Sequence, residues 1–182
     1  MANVEISGLP NKATPLSSDE IELQATGGGA SAKTSLDNLG KAIAGIFGSI
    51  LVNDGATAQT GIGVTDVKVN GFALNGESSG VTPDNVNDKL TILTAGKYSM
   101  SAAMSFAGSS QETFDVHIAV DGISSVLGAR RKLSSGGDVG NLSFAGYLDL
   151  AAAAEVSLNI KAGGAAKEIT LAMGQLNVTK VG

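Results

Sequence analysis

The chain has 182 residues and a net charge of −5, and its one basic cluster is Arg130-Arg131-Lys132, so it lacks the Lys/Arg surface that nucleic-acid binding needs. Cysteine is absent, which excludes a disulfide framework and thiolate metal sites. Hydrophobic residues make up 43% of the chain but aromatics only 4%, with no Trp and 25 Gly, so a core of Ala, Val, Ile and Leu buries little area per residue and leans on subunit contacts.

From the start, Met1-Ala2-Asn3-Val4-Glu5-Ile6 moves into an alternating pattern without a basic-apolar leader, and apolar runs stay far below the ~20 residues of a membrane span. A soluble, unprocessed chain with no membrane partner is expected. Residues 1–34 read as a short β-rich arm. Val4 and Ile6 form a strand fragment ended by Gly8-Leu9-Pro10, Ile21 and Leu23 alternate again, and Gly27-Gly28-Gly29 breaks the pattern. An arm this small holds no core of its own and is expected to dock onto another surface.

Next, Leu36, Leu39, Ile43, Ile46 and Ile50 follow a three-four-three-four spacing, with Thr34 or Ser35 as N-cap and Asp37 in the first turn. The spacing predicts a helix over about 35–50. It fits an a/d seam between copies of the chain, with Ile-rich positions favouring three or more strands, while the more ordinary reading is an amphipathic helix packed on its own domain. Small polar residues at 53–63 read as a linker, placing a second module at 64–182.

That module alternates with period two from strand to strand. Val67-Lys68-Val69 leads through Asn70-Gly71 into Phe72-Ala73-Leu74, and Leu90 and Ile92 open the next run. Tyr98, Met100, Ala102, Met104 and Phe106 share one face, leaving the Lys97-to-Ser105 face more exposed. Phe114, Val116, Ile118 and Val120 alternate up to a hairpin turn at Asp121-Gly122. Leu142 to Leu150, then Val156, Leu158 and Ile160, repeat the pattern. Ile169, Leu171 and Met173 alternate until the phase slips at Gly174, the mark of a β-bulge. Seven to nine short strands make a sandwich or barrel.

Two stretches resemble known families. Leu90-Thr91-Ile92-Leu93-Thr94-Ala95-Gly96-Lys97-Tyr98, Phe144-Ala145-Gly146-Tyr147-Leu148-Asp149-Leu150, Val156-Ser157-Leu158-Asn159-Ile160 and Gln175-Leu176-Asn177-Val178-Thr179-Lys180 are similar to the trimeric jelly rolls of the tumour-necrosis-factor and complement-head type. The pattern departs at Ala151-Ala152-Ala153-Ala154-Glu155, where that family often has a Gly-Asp turn. Val4-Glu5-Ile6-Ser7-Gly8-Leu9-Pro10, Leu16-Ser17-Ser18-Asp19-Glu20-Ile21, the triple glycine and Lys33-Thr34-Ser35-Leu36-Asp37-Asn38-Leu39 resemble the N-terminal segment of bacteriophage fibre and appendage proteins, which anchors them to the virion. The resemblances imply a mainly β protein, a jelly-roll β-sandwich preceded by a β-rich arm and one helix. They also imply a homotrimer on the virion surface, assembled in the host cytoplasm. Val4, Ile6, Leu9, Ile21 and Leu23 are its attachment candidates, and the major capsid protein or another virion component is its partner. A capsid decoration (cement) or head-fibre protein is the leading expectation, and a short tail fibre contacting the host is the alternative.

No catalytic constellation stands out. His117 is the single histidine and sits beside Asp115 across the strand from the apolar face, without a third ligand or partner. Asp84, Asn85, Asn87 and Asp88 read as a solvated turn rather than a calcium loop. The triple glycine lacks the Lys-Ser/Thr of a phosphate loop, and Asp149 and Glu155 form no visible glycosidase pair. Arg130-Arg131-Lys132 is expected on a loop, as a solubilising tip or a contact for an acidic neighbour or anionic glycan. No cofactor, metal or enzymatic activity is expected.

Overall fold

Alternation in the sequence becomes alternation in burial along most long strands of the computed structural model, which describes residues 20–23, 32–35, 45–135 and 138–181. The chain divides into a first unit, Met1–Ala44, and a second, Gly45–Gly182. In the first, β1 (Glu20–Leu23) and β2 (Ala32–Ser35) pair antiparallel, with Glu20 opposite Ser35 and Leu23 opposite Ala32.

The second unit runs through β3 (Phe47–Asn53), β4 (Ala58–Ile62), β5 (Val67–Lys68), β6 (Leu74–Asn75), β7 (Val81–Asp84), β8 (Lys89–Ile92) and β9 (Gly96–Gly108). It continues through β10 (Thr113–Val120), β11 (Ile123–Lys132), β12 (Val139–Leu150), β13 (Glu155–Ala162) and β14 (Lys167–Lys180). Sheet I has the order β11-β10-β13-β8-β7, with β5 also on β13; sheet II has the order β12-β9-β14-β3-β6, with β4 also on β14. The chain passes back and forth between them, so this unit is an all-β sandwich with a jelly-roll-like path.

The core lies between the sheets. From β9 come Tyr98, Met100, Ala102, Met104 and Phe106, each at most 3% exposed, and burying a large apolar side chain contributes about 1.5–3 kcal/mol. Phe114, Val116 and Ile118 of β10 and Val156, Leu158 and Ile160 of β13 face them from sheet I, all fully buried. Phe106 and Phe114 meet edge to face across the sheets, with ring centroids 5.7 Å apart. The Tyr98 hydroxyl avoids an unpaired burial by donating to the Thr94 carbonyl oxygen at 2.7 Å.

Four expectations are corrected. The helix over about 35–50 fails where it is described: Ser35 ends β2, Gly45 and Ile46 are not helical, and Phe47–Asn53 is a strand paired along β14. Gly48 explains the misreading. It occupies an inward position of β3 where an added Cβ would lie 2.6 Å from Val81 Cγ1, so the alternation Gly48, Ile50, Val52 has a gap that reads as helical spacing. The linker at 53–63 contains β4, which pairs with β14, so the second unit begins before position 64. Val67–Leu74 is no single strand pair, because β5 joins sheet I and β6 joins sheet II. Arg130-Arg131-Lys132 lies on β11 rather than on a loop.

The β-bulge exists, but it falls between Leu171 and Met173 rather than at Gly174. Leu171 opposes Phe106 and Met173 opposes Ser105, so Ala172 is the extra residue. Its carbonyl oxygen accepts a hydrogen bond from Gly55 N–H at 2.9 Å. A Cβ on Gly55 would lie 2.2 Å from the Leu171 carbonyl oxygen, so glycine is needed for that close approach.

Candidate functional site

The strands of sheet II bury one half of each alternation and present the other, and the presented half is nearly without charge. β9 offers Ser99, Ser101, Ala103 and Ser105 between Lys97 and Ala107; β12 offers Asn141, Ser143, Ala145 and Tyr147 between Val139 and Asp149. β3 contributes Ser49 and Leu51, and β14 contributes Met173, Gln175, Asn177 and Thr179. Charged residues of this sheet stand only near strand ends, as Lys97, Asp149, Lys167, Glu168 and Lys180.

Sheet I is built differently. Its strands carry Lys68, Asp84, Lys89, Asp115, His117, Arg130, Arg131, Lys132, Glu155 and Lys161. Lys89 Nζ pairs with Glu155 Oε1 at 2.5 Å, which holds the lysine pKa above its ordinary value. Arg130 grips Asp115 in a fork, Nε to Oδ1 at 2.5 Å and Nη2 to Oδ2 at 2.9 Å, and this pulls the aspartate pKa down. One sheet therefore faces solvent as a charged surface with two ion pairs and the other as a nearly uncharged one.

The uncharged face holds a broad groove of about 760 Å³ lined by Leu51, Leu74, Ala103, Ser105, Asn141 and Met173 among others. Met173 is 56% exposed and Leu74 54%, while Tyr147 at 64% and Val139 at 50% stand along β12 at the sheet's border. Exposed aliphatics and an aromatic on a field of Ala and Ser make a surface that another protein chain can approach closely. The bulge at Ala172 matters here: if Ala172 took an ordinary place in the alternation, Met173 would continue the inward phase of Ile169 and Leu171. The signal for this site lay in the unused half of each alternation, Ser99-Ser101-Ala103-Ser105 above all.

The sequence-derived candidates fall elsewhere. Ile50 is fully buried in the core of its own chain, and Ile46 packs half-buried against the same core. Leu36, Leu39 and Ile43 lie outside the described residues, as do Val4, Ile6 and Leu9; Ile21 and Leu23 lie on β1.

The remaining polar candidates are committed to structure. With both Asp115 oxygens held by Arg130, the Asp115–His117 pair is no catalytic dyad. The His117 ring instead covers Gly128 on β11, where an added Cβ would lie 2.6 Å from Nδ1. Asp84 accepts hydrogen bonds from the Asn87 backbone and side chain. Asp88, 7% exposed, accepts from Gly71 N–H at 3.0 Å and Phe72 N–H at 2.8 Å; burial raises its pKa while those two bonds oppose the rise. Among the described residues no group of three or more His, Asp or Glu side chains could hold a metal ion.

No family model and no curated protein matches the sequence. Solved structures do match in shape. The Eiger TNF structure from S. frugiperda aligns with a TM-score of 0.50 at 12% identity, over 75% of this chain and 94% of that one. The globular domain of zebrafish complement 1qA aligns with a TM-score of 0.51 at 15% identity, over 75% of this chain and 98% of that one. The fold is the TNF/C1q-like jelly roll. At these identities the likeness establishes the fold, and the jelly-roll β-sandwich expected of the second module is borne out with it.

Proposed function

We infer that this chain is a non-enzymatic structural protein of a bacteriophage virion surface, a trimeric capsid decoration or head-fibre protein held to the particle by its N-terminal arm. The observation that carries the self-association is the contrast between the sheets: sheet I keeps a charged, ion-paired surface, while sheet II presents a nearly uncharged one with a groove and exposed Leu74, Met173 and Tyr147. Burying an unpaired charge is costly, so a surface cleared of charges across its middle suits burial against further copies of the same chain. The attachment rests on the ordered motifs of residues 4–39 that resemble phage fibre anchors. Three arms on one trimer multiply a weak attachment through effective concentration.

Deleting residues 1–34 tests the reading. The truncated protein is expected to remain trimeric by light scattering and to stop co-sedimenting with phage particles, while the full chain binds them. Truncated protein that still decorates particles would overturn the anchoring role, and binding of the isolated sandwich to host cells would favour the tail-fibre alternative.

A further inference from the structure

Of two Asn-Gly pairs, Asn70-Gly71 lies on the segment that crosses from sheet I to sheet II, and Asn75-Gly76 stands at the end of β6, the strand that this segment enters. Asn-Gly is the dipeptide most prone to spontaneous rearrangement, because glycine has no Cβ to shield its amide nitrogen. That nitrogen attacks the asparagine Cγ, the new C–N bond closes a succinimide ring, and the side-chain nitrogen leaves as ammonia. Water then opens the ring to aspartate or isoaspartate. The reaction needs an amide that can lose its proton and a backbone free to fold onto the side chain.

At the first pair both requirements are blocked by one residue. The nearly buried Asp88 accepts from Gly71 N–H and, with the same Oδ1, from Phe72 N–H. Gly71 is held at φ +109°, and Phe72, 4% exposed, anchors the next position in the core. The Asn70 backbone is pinned as well, its N–H donating to Gln59 Oε1 at 2.9 Å. At the second pair the lock is different: Gly76 N–H donates to the Ser49 carbonyl oxygen at 2.9 Å, and Asn75 Oδ1 accepts from Asn85 N–H at 2.8 Å.

We propose that Asn70 is a latent site of spontaneous deamidation and isoaspartate formation, held shut in the folded protein by the Asp88 carboxylate. The side chain of Asn70 is exposed, so closure rests on the backbone, above all on the withheld Gly71 amide. Opening the site adds a negative charge two residues after Lys68 and, as isoaspartate, inserts a methylene into the backbone two residues before Phe72. That extra atom cannot be absorbed while Phe72 stays in the core, so modification loosens the crossing segment and the edge strand β6 that follows it. The clasp thus sets the chemical lifetime of this edge of the sandwich.

The experiment is incubation of the full chain in mildly alkaline buffer, with Asp and isoAsp at positions 70 and 75 read by peptide mass spectrometry. Folded wild type is expected to retain both asparagines, and urea-unfolded chain to lose both. In Asp88→Ala, deamidation at Asn70 is expected to rise about tenfold or more, the effect of losing ~1.4 kcal/mol of local closure, while Asn75 stays protected. Asp88→Asn keeps an acceptor oxygen and is expected to protect Asn70 like wild type. The proposal is overturned if Asn70 reacts at the wild-type rate in Asp88→Ala. It is equally overturned if Asn75 accelerates as much in molecules whose Asn70 is still intact, or if the folded wild type reacts as fast as the unfolded chain.

Discussion

Glu112 ties three parts of the sandwich together. Its carboxylate meets Lys167 Nζ at 3.0 Å and accepts from Gly163 N–H at 2.9 Å, joining the start of β10 to the β13–β14 turn and to β14. The Lys167 hydrogen bond pulls its pKa below the ordinary glutamate value, assisted by the Thr113 and Gly163 N–H groups and opposed by burial. A folded pKa below the unfolded one gives stability that is complete above the unfolded pKa and disappears as pH falls through the folded one. Asp115 and Asp138 follow the same sign, through Arg130 and through the Ser134 N–H and hydroxyl respectively. Asp88 runs the other way, because burial raises its pKa and acid relieves the buried charge. Glu112→Gln is therefore expected to be less stable than wild type by about 1 kcal/mol at neutral pH. The gap between the two urea midpoints should be full above the ordinary glutamate pKa and close only as pH falls through the lowered pKa of the folded state. A gap that stays constant from pH 7 to pH 3 would assign the loss to packing rather than to the charge.

Strands whose inward positions all carry side chains were legible in the sequence. β9 and β10 show their period directly, because Tyr98 to Phe106 and Phe114 to Ile118 fill every second place with an apolar group. Legibility failed where the inward place is a glycine, as at Gly48, or where a bulge breaks the count. On β11 the register on β10 shifts between His117 and Ala119. Beside that shift Val126 is 93% exposed while Leu127 packs on Gly146, where a Cβ would lie 2.4 Å from Leu127 Cδ2, so the alternation of Ile123–Lys132 is scrambled in sequence. On β14 the phase change was visible, but both Ala172 and Gly174 restore alternation when treated as the extra residue, and only the pairing with β9 decides for Ala172. Removing Ala172 should therefore leave Leu171, Leu176 and Val178 inward and Met173 outward. Its deletion is expected to cost far less in urea stability than deletion of Ala103 on the bulge-free middle of β9. Deleting Ala103 shifts one half of that strand by one place and turns buried Met and Phe side chains toward solvent. Equal losses for the two deletions would count against the bulge assignment.

For the whole molecule, the division of labour between the two sheets was not legible, because charge segregation appears only once strands are sorted into sheets and positions into faces. Lys97 and Asp149 lie far apart in sequence yet oppose each other in register near one end of the uncharged field, while Met173, Leu51 and Leu74 meet at its groove. If that field is the contact between copies, a single charge placed in it must be desolvated in each interface, at a cost of several kcal/mol. Met173→Asp and Leu74→Asp alter side chains that are more than half exposed in the single chain, so folding should survive both. Light scattering should change from the mass of three 18.1 kDa chains for wild type to that of one chain for either variant. Val126→Asp provides the matched control on sheet I, at a site 93% exposed, and should leave the trimer intact. A trimeric Met173→Asp protein, or a Val126→Asp protein that falls apart, would move the contact off sheet II. In that event the bulge at Ala172, which turns Met173 outward, would need another explanation.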